Sequence, residues 1–137
     1  MRILIVDDDR LVAITAAATL VDQGHEVCGP AHDVAEAMAL AEADHPELAL
    51  IDIDLEGHDE GIDLARELKA RHGLDSVFVS GQSEVAHANT DAALGLLPKP
   101  YAPEQLVRSV LVAQALINGW RPAVRPGSGS IEIFAGA

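Results

Sequence analysis

The sequence predicts an α/β fold, in which a doubly wound parallel sheet of five strands carries helices on both faces. Short apolar runs of strand length alternate with longer segments whose apolar residues recur at helical spacing. The strand segments are apolar throughout, which is typical of strands buried on both faces. Strands that alternate with helices are joined by right-handed crossovers, so neighbouring strands run parallel. With 137 residues, 49% of them hydrophobic, the chain can form one such core.

The first unit is a strand from Arg2 to Val6 followed by a helix from Arg10 to Gln23, which Gly24 ends. Four apolar residues of this helix share one face at helical spacing, and we expect that face to pack on the sheet. These residues are Leu11, Ile14, Ala18 and Val21.

The second unit is a short strand from His25 to Cys28 and a helix that ends near His45. Asp33 is expected to cap this helix, because Glu36 follows three residues later in the pattern of a capping box. The remaining units repeat the alternation. The strands are Glu47 to Ile53, Ser76 to Val79 and Leu94 to Leu97, and the helices are Gly61 to Arg71, Ser83 to Ala93 and Pro103 to Asn118. The helical pattern is weakest from Ser83 to Ala93, so we expect a short or irregular fourth helix.

The composition changes after Asn118. Gly, Pro and Ser dominate the segment before Ile131, which indicates a linker or tail. We therefore assign residues 1–118 to the folded domain and residues 119–137 to a flexible tail. Ile131 to Phe134 alternates weakly and could add a strand to a sheet edge, but disorder is the expectation from its propensity.

The charge and the absence of targeting features restrict the partners. A net charge of -13, from 22 acidic and 9 basic residues, repels nucleic acid and anionic membrane surfaces, so we expect protein partners. No apolar run approaches the roughly 20 residues that span a bilayer. A single cysteine, Cys28, and a first strand that begins almost at Met1 predict a cytoplasmic protein.

Acidic residues follow two strands of the predicted sheet. Asp7 and Asp8 come directly after the first strand, and Asp52 and Asp54 end the third. Working residues of parallel sheets collect beyond the carboxyl ends of the strands, so these carboxylates are expected to share one edge. Carboxylates crowded in this way raise one another's pKa values unless a cation neutralises them. The cluster therefore indicates a hard divalent cation and phosphate chemistry.

Each residue at this edge has a role in that chemistry. Asp52 is the predicted nucleophile, since a carboxylate can attack a phosphoryl group when a metal ion shields the two anions from each other. Mg²⁺ is the expected ion, with Asp8 as a ligand helped by Asp7 and Asp52. Ser80 would donate its hydroxyl to a phosphoryl oxygen, and Lys99 would supply a fixed positive charge. Asp9, by contrast, is expected only to cap the first helix.

Four segments, ILIVDDD, LALIDIDLEG, VFVSGQ and LLPKPY, occur in the order and at the strand ends of a known family. Over residues 2–118 the chain resembles the receiver domain of two-component response regulators, and the separation of Asp8 from Asp52 is typical of it. The resemblance implies a flavodoxin-like sheet of strand order 2-1-3-4-5 and a cis Lys99-Pro100 bond. It also implies phosphorylation of Asp52 by a histidine kinase or histidine phosphotransfer protein, with Mg²⁺ held by Asp7, Asp8, Asp52 and the backbone carbonyl of Asp54.

The resemblance further implies a signalling protein that catalyses only its own phosphorylation and dephosphorylation. Because no output domain is predicted, we expect a stand-alone receiver, monomeric or weakly dimeric, that signals by phosphorylation-dependent protein contact. Two features depart from the family. Leu96 stands where the family has its switch aromatic, and the segment from Ser80 to Lys99 is a few residues short, which again predicts a stunted fourth helix.

Two alternatives stay open at this point. Asp52-Ile53-Asp54-Leu55 after an apolar strand also resembles the nucleophile and acid pair of haloacid dehalogenase-like phosphatases. That motif should open the chain, however, whereas Asp7 and Asp8 come first here. Repeated turnover of a phosphomonoester, lost in Asp54→Asn, would favour the phosphatase. An adaptor that keeps the fold without its chemistry would bind its partner equally with and without beryllofluoride and Mg²⁺.

Overall fold

The computed structural model describes residues 1–55, 60–81, 83–121 and 131–134. Strands and helices alternate along the chain, as the sequence predicts. The strands are β1 (Arg2–Val6), β2 (Glu26–Ala31), β3 (Leu48–Asp52), β4 (Asp75–Ser80), β5 (Gly95–Pro98) and β6 (Glu132–Ile133). The helices are α1 (Arg10–Asp22), α2 (Val34–Asp44), α3 (Glu60–His72), α4 (Ser83–His87) and α5 (Pro103–Ile117).

The strands form one sheet in the order β2-β1-β3-β4-β5-β6. The first five strands are parallel, which confirms the flavodoxin-like order 2-1-3-4-5. In the register, Val6 of β1 lies beside Ile51 of β3, and Asp52 lies beside Val79 of β4. The carboxyl ends of β1, β3 and β4 are therefore level with one another at one edge of the sheet.

Both faces of the sheet are covered, because successive residues of a strand point to opposite faces. On one face, Ile5, Leu50 and Val79 belong to the same apolar cluster as buried residues of α1 and α5. On the other, Ile51 and Phe78 belong to a cluster with buried residues of α2, α3 and α4. Burial on both faces explains why the strands are apolar without alternation.

Helix α1 packs on the sheet through a face other than the predicted one. Its buried residues are Ala13, Ala16 and Leu20. The residues expected to face the sheet are instead exposed, and they are Leu11, Ile14, Ala18 and Val21. The helix is apolar on most of its circumference, so periodicity alone could not choose the face. Small side chains let the helix backbone approach the sheet closely, and this favours the face that contains the two alanines.

The other helices largely follow the sequence. The side chain of Asp33 accepts a hydrogen bond from the N–H of Glu36 and caps α2, as expected. Helix α4 has only 5 residues, which confirms the short fourth helix. The Lys99-Pro100 bond is cis, as the resemblance implies, and so is the Gly29-Pro30 bond within β2. Strand β2 is longer than predicted and reaches Ala31.

The tail differs from its prediction as a flexible segment. Glu132–Ile133 forms β6, antiparallel to β5, and the side chains of Ile131, Ile133 and Phe134 are buried. The strand-forming alternative for this segment is therefore correct, because the edge of β5 offers unpaired backbone groups and an apolar surface. The rest of the tail, residues 122–130 and 135–137, lies outside the described residues. Among the helices that the structure describes, none is both long and apolar enough to cross a membrane.

Candidate functional site

Three carboxylates converge at the carboxyl edge of the sheet. Asp7 and Asp8 follow β1, and Asp52 is the last residue of the neighbouring strand β3. One carboxylate oxygen of each residue lies within 4.8 Å of the other two. Asp7 and Asp52 are buried, whereas Asp8 is exposed. The site is therefore a rim of acidic side chains, open to solvent on the side of Asp8.

Lys99 supplies the cation that faces this rim. Its Nζ donates a hydrogen bond to Oδ2 of Asp7 at 2.9 Å and lies 3.6 Å from Oδ2 of Asp52. Lys99 follows β5 directly, and its backbone N–H donates to the carbonyl oxygen of Ser80 at 3.0 Å. This hydrogen bond to β4 fixes the backbone of Lys99, and its side chain extends to the ends of β1 and β3.

Ser80 and Asp54 complete the predicted set. Ser80 ends β4, is almost fully buried, and pairs with Pro98 of β5. Asp54 lies in the turn after β3, where its backbone N–H donates to Oδ1 of Asp52 at 3.1 Å. The six residues selected from the sequence therefore follow or end β1, β3, β4 and β5 at the same edge of the sheet.

Burial and charge set the protonation of Asp52. Burial raises the pKa of Asp52 to about 6, and the negative charges of Asp7 and Asp8 act in the same direction. The positive charge of Lys99 and the N–H of Asp54 oppose this rise in pKa. Without a metal ion the carboxyl group therefore loses its proton only near neutral pH, which is a common property of functional carboxylates.

Burial and neighbouring charges also act in opposite directions on the pKa of Lys99. Burial acts to lower the pKa of Lys99, but the hydrogen bond to Asp7 and the attraction of Asp7 and Asp52 outweigh it and raise this pKa. Lys99 therefore stays protonated over the physiological range. A fixed positive charge beside an anionic site is suited to a ligand that brings further negative charge.

Asp9 has the structural role expected of it. Its side chain accepts hydrogen bonds from the N–H groups of Leu11 and Val12 and caps α1. Its own N–H donates to Oδ1 of Asp7 at 2.9 Å, which helps to hold Asp7 in the rim. The exposed Asp9 side chain does not belong to the group of three converging carboxylates.

Two residues near the site were missed by reasoning from the sequence. The Nδ1 atom of His32 lies 3.0 Å from the backbone carbonyl oxygen of Asp7, so the ring N–H donates to it. Gly61, near the start of α3, packs so closely beneath β3 that a Cβ atom there would collide with the backbone oxygen of Asp52. His32 could have been found from the sequence, because it directly follows β2 at the same edge of the sheet. Nothing in the sequence around Gly61 indicates its close contact with β3.

An apolar surface lies beside the acidic rim. Leu11 and Ile14 of α1 are 75% and 60% exposed, although both are large and apolar. Next to them is an open groove between α1 and the segment that follows β5. Its lining residues are Leu11, Val12, Thr15, Lys99, Pro100 and Tyr101. Contiguous exposed apolar surface of this kind often marks a protein contact, and here it adjoins the acidic rim.

Comparison with known proteins identifies the class that this fold and site define. Residues 3–111 match the family model of the response regulator receiver domain. The chain belongs to this family, whose members accept phosphoryl groups on an aspartate. Among curated proteins, it is 31% identical over 115 residues to the transcriptional regulatory protein PdtaR of Mycobacterium tuberculosis, covering 82% of this chain and 56% of PdtaR. It is also 31% identical to the phyllosphere-induced regulator PhyR of Methylorubrum extorquens, covering 84% of this chain and 43% of PhyR.

Solved structures agree with this assignment. The receiver domain of NtrX from Brucella abortus superposes with a TM-score of 0.74 and 32% identity, over 86% of this chain and 99% of that domain. The response regulator PhyR from Brucella abortus superposes with a TM-score of 0.71 and 29% identity, over 85% of this chain and 48% of PhyR. These matches support the receiver over the haloacid dehalogenase-like phosphatase. The chain spans about half the length of the curated relatives it matches first.

Proposed function

We propose that Asp52 accepts a phosphoryl group from the phosphohistidine of a histidine kinase or a histidine phosphotransfer protein. Residues 1–118 would act as the phosphoacceptor unit, in the cytoplasm, and would catalyse only their own phosphorylation and dephosphorylation. The observation that carries the proposal is the convergence of three carboxylates within 4.8 Å, with Nζ of Lys99 bonded to one of them at 2.9 Å. Such a site suits a phosphoryl group that arrives with its own negative charge.

Mg²⁺ fits this set of ligands. The ion prefers oxygen ligands and is usually bound by one or two carboxylates together with water and phosphate oxygens. Asp7, Asp8 and Asp52 offer carboxylate oxygens close enough to share one ion, and Asp8 opens the site to water. We expect these three residues and the backbone carbonyl of Asp54 to hold it. When bound, the ion neutralises charge between the nucleophile and the incoming phosphoryl group.

The transfer uses one oxygen of Asp52 as the nucleophile. This oxygen forms a bond to phosphorus while the bond from phosphorus to the histidine nitrogen of the donor breaks, and that nitrogen leaves with the bonding electron pair. The product is an acyl phosphate on Asp52. Lys99 then moves its hydrogen bond from Asp7 to a phosphoryl oxygen, and the hydroxyl of Ser80 donates to another. Hydrolysis by water restores the carboxylate and releases phosphate.

The apolar surface beside the rim supports a protein donor. Leu11 is exposed on α1 and lines the groove next to Lys99, and Ile14 is exposed on the same helix. A protein that presents a histidine to Asp52 must contact the surroundings of the rim, and these side chains offer apolar area there. The net charge of -13 further favours a donor with a basic or neutral contact surface.

A small-molecule donor tests the proposal without knowledge of the kinase. The protein is incubated with acetyl phosphate, with Mg²⁺ or with EDTA, and the phosphorylated fraction is measured by intact mass. We expect Mg²⁺-dependent addition of one phosphoryl group, and no addition in Asp52→Asn. Asp9→Asn is the matched control, because Asp9 is exposed and is not one of the three converging carboxylates. It should be labelled as the wild type is.

Two results would contradict the proposal. Labelling of Asp52→Asn to the extent of the wild type would remove Asp52 as the acceptor. Sustained turnover of a phosphomonoester, lost in Asp54→Asn, would instead indicate phosphatase chemistry. An adaptor without phosphoryl chemistry would show neither labelling nor any effect of beryllofluoride and Mg²⁺ on partner binding.

A further inference from the structure

The backbone of Asp7 is hydrogen-bonded to the end of β2 through both its N–H and its carbonyl group. The N–H donates to the carbonyl oxygen of Ala31 at 3.0 Å, and the carbonyl oxygen accepts a hydrogen bond of 3.0 Å from Nδ1 of His32. A carbonyl oxygen can only accept, so Nδ1 carries a hydrogen, as it does in one neutral form of imidazole and in the charged form. The half-buried His32 is therefore a donor to the residue that begins the acidic rim.

An extra residue in β2 brings His32 to this position. The register between β1 and β2 shifts by one residue between Leu4 and Val6, so that Val6 lies beside Ala31. Gly29, which precedes the end of β2, has a φ of 92°, a conformation that glycine adopts without strain. A β-bulge of this kind changes the direction of the side chains that follow it. It places His32, in place of Ala31, level with the residue that follows β1.

The other polar atoms of Asp7 are engaged as well. The N–H of Asp9 donates to Oδ1 and Nζ of Lys99 donates to Oδ2, each at 2.9 Å. These bonds hold the Asp7 carboxylate whether or not its backbone carbonyl has a partner. Loss of the bond to His32 would therefore leave the Asp7 side chain anchored and would free the peptide group between Asp7 and Asp8 to turn.

Asp8 depends on that peptide group for its position. Its side chain is exposed, and among the residues that the structure describes no hydrogen bond reaches its carboxylate. The Asp7-Asp8 peptide group is planar, so a hydrogen bond to its oxygen also orients the Cα atom of Asp8. His32 is not in the group of converging ligand atoms, and it acts on Asp8 through the backbone.

We propose that His32 is a positioning residue for Mg²⁺, which holds the Asp7-Asp8 peptide group so that the carboxylate of Asp8 can reach the ion. The inference rests on the proposed function, because it concerns the same metal ligands. Mg²⁺ requires a nearly octahedral arrangement of oxygens at about 2.0–2.1 Å, whereas Ca²⁺ accepts longer bonds of about 2.3–2.6 Å in flexible arrangements. Displacement of Asp8 should therefore weaken the binding of Mg²⁺ more than the binding of Ca²⁺.

Metal binding is measured by NMR on the metal-free protein, from the shifts of backbone amides as MgCl₂ or CaCl₂ is added. His32→Leu removes the donor. We expect its dissociation constant for Mg²⁺ to rise about tenfold, which is the lower end of the effect of residues that support metal ligands. The dissociation constant for Ca²⁺ should rise less. His32→Asn should bind both ions nearly as the wild type does, because the side-chain amide retains an N–H donor.

His87→Leu is the matched control, because it removes an imidazole and its hydrogen bond to Glu132 outside the rim. Its affinity for both ions should equal that of the wild type. Urea denaturation in EDTA measures the stability of each variant without metal. If His32→Leu were less stable but, when folded, bound both ions as the wild type does, the role of His32 would be structural only and the inference would be overturned. An equal loss of affinity for the two ions would also overturn it. His32→Ala provides the same comparison if the leucine variant does not fold.

Labelling by acetyl phosphate separates this inference from the function on which it rests. His32→Leu should need about tenfold more Mg²⁺ than the wild type for half its maximal rate, while the rate at saturating Mg²⁺ changes less. Labelling that is lost in Asp52→Asn but has the same Mg²⁺ requirement in His32→Leu and the wild type would overturn the role of His32 alone. A wild type that binds Mg²⁺ through His32-supported ligands but is never labelled would overturn the proposed function alone.

Discussion

The ammonium group of Lys99 bonds to Asp7 at 2.9 Å and lies farther, at 3.6 Å, from Asp52. The lysine is therefore anchored on the carboxylate next to the proposed nucleophile, and it leaves one oxygen of Asp52 less engaged. Its positive charge nevertheless lowers the pKa of Asp52 against the effect of burial. This relationship predicts that Lys99 sets both the protonation of Asp52 and the stability of the acidic rim.

Replacement of Lys99 by methionine should raise the pKa of Asp52 above about 6, since the nearest cation is lost. The loss also leaves Asp7 buried without its partner, so the free energy of unfolding at pH 7 should fall by about 1–3 kcal/mol. Carbon-13 NMR titration of the Asp52 carboxyl group measures the first effect and urea denaturation the second. Lys99→Arg retains the charge and should change both less. An unaltered pKa of Asp52 in Lys99→Met would contradict the assigned pairing.

The raised pKa of Asp52 predicts a pH-dependent gain of stability in Asp52→Asn. A carboxyl group whose pKa rises from 3.8 to about 6 on folding binds its proton more tightly in the folded state. The wild type therefore loses stability as the pH increases through that interval, and the amide variant does not. At pH 7 in EDTA, Asp52→Asn should be more stable by about 1–2 kcal/mol, after allowance for solvent screening.

Urea denaturation from pH 3.5 to pH 8 measures this difference in unfolding free energy between the two proteins. The difference should grow between about pH 4 and pH 6 and level off above. Added Mg²⁺ should stabilise the wild type and reduce the difference, because the proposed Mg²⁺ site includes Asp52 and forms only in the folded state. A constant difference across this pH range would show that the pKa of Asp52 is not raised.

The close packing of Gly61 against β3 predicts that alanine at this position destabilises the protein, in contrast to its usual effect in a helix. Alanine normally stabilises a helix relative to glycine. At position 61, however, the added Cβ atom would meet the backbone oxygen of Asp52 and lie 2.7 Å from Cα of Ile53. We expect Gly61→Ala to lower the free energy of unfolding by about 1–3 kcal/mol and to slow phosphorylation by acetyl phosphate, since the end of β3 must shift.

Gly81→Ala is the control for that substitution, because no atom outside its neighbours lies within 4 Å of a Cβ there. Thermal unfolding compares the two variants. Equal melting temperatures would mean that α3 moves away from β3 without cost.

The packing of α1 predicts opposite results for two neighbouring alanines. Ala16 faces the sheet and is 5% exposed, whereas Ala18 faces solvent. Leucine at position 16 would overpack the core, so Ala16→Leu should destabilise the protein by about 1–3 kcal/mol. Ala18→Leu should change the stability by less than about 0.5 kcal/mol. If chemical denaturation showed a larger loss of stability for Ala18→Leu than for Ala16→Leu, the face predicted from periodicity would be the one that packs on the sheet.

Much of the site could be predicted from the sequence, and for a simple reason. Parallel strands end level with one another, so Asp7, Asp52, Ser80 and Lys99 had to meet once the strands were recognised. The apolar runs identified those strands because both faces of the sheet are covered. The positions of the polar residues in the sequence therefore predicted which side chains meet at this edge. The small number of residues between Ser80 and Lys99 predicted the short fourth helix.

The sequence by itself determined the alternation of strands and helices, the parallel sheet and the polar residues at its carboxyl edge, because these depend on local periodicity and on where strands end. Only the tertiary structure decided which face of α1 is buried, since that helix is apolar nearly all round and close approach to the sheet selects Ala13 and Ala16. The burial of Ile131, Ile133 and Phe134 was likewise decided by tertiary structure. The segment is ordered by the edge of β5, through Gly95 and the surrounding apolar clusters, and those partners lie far from it in the sequence.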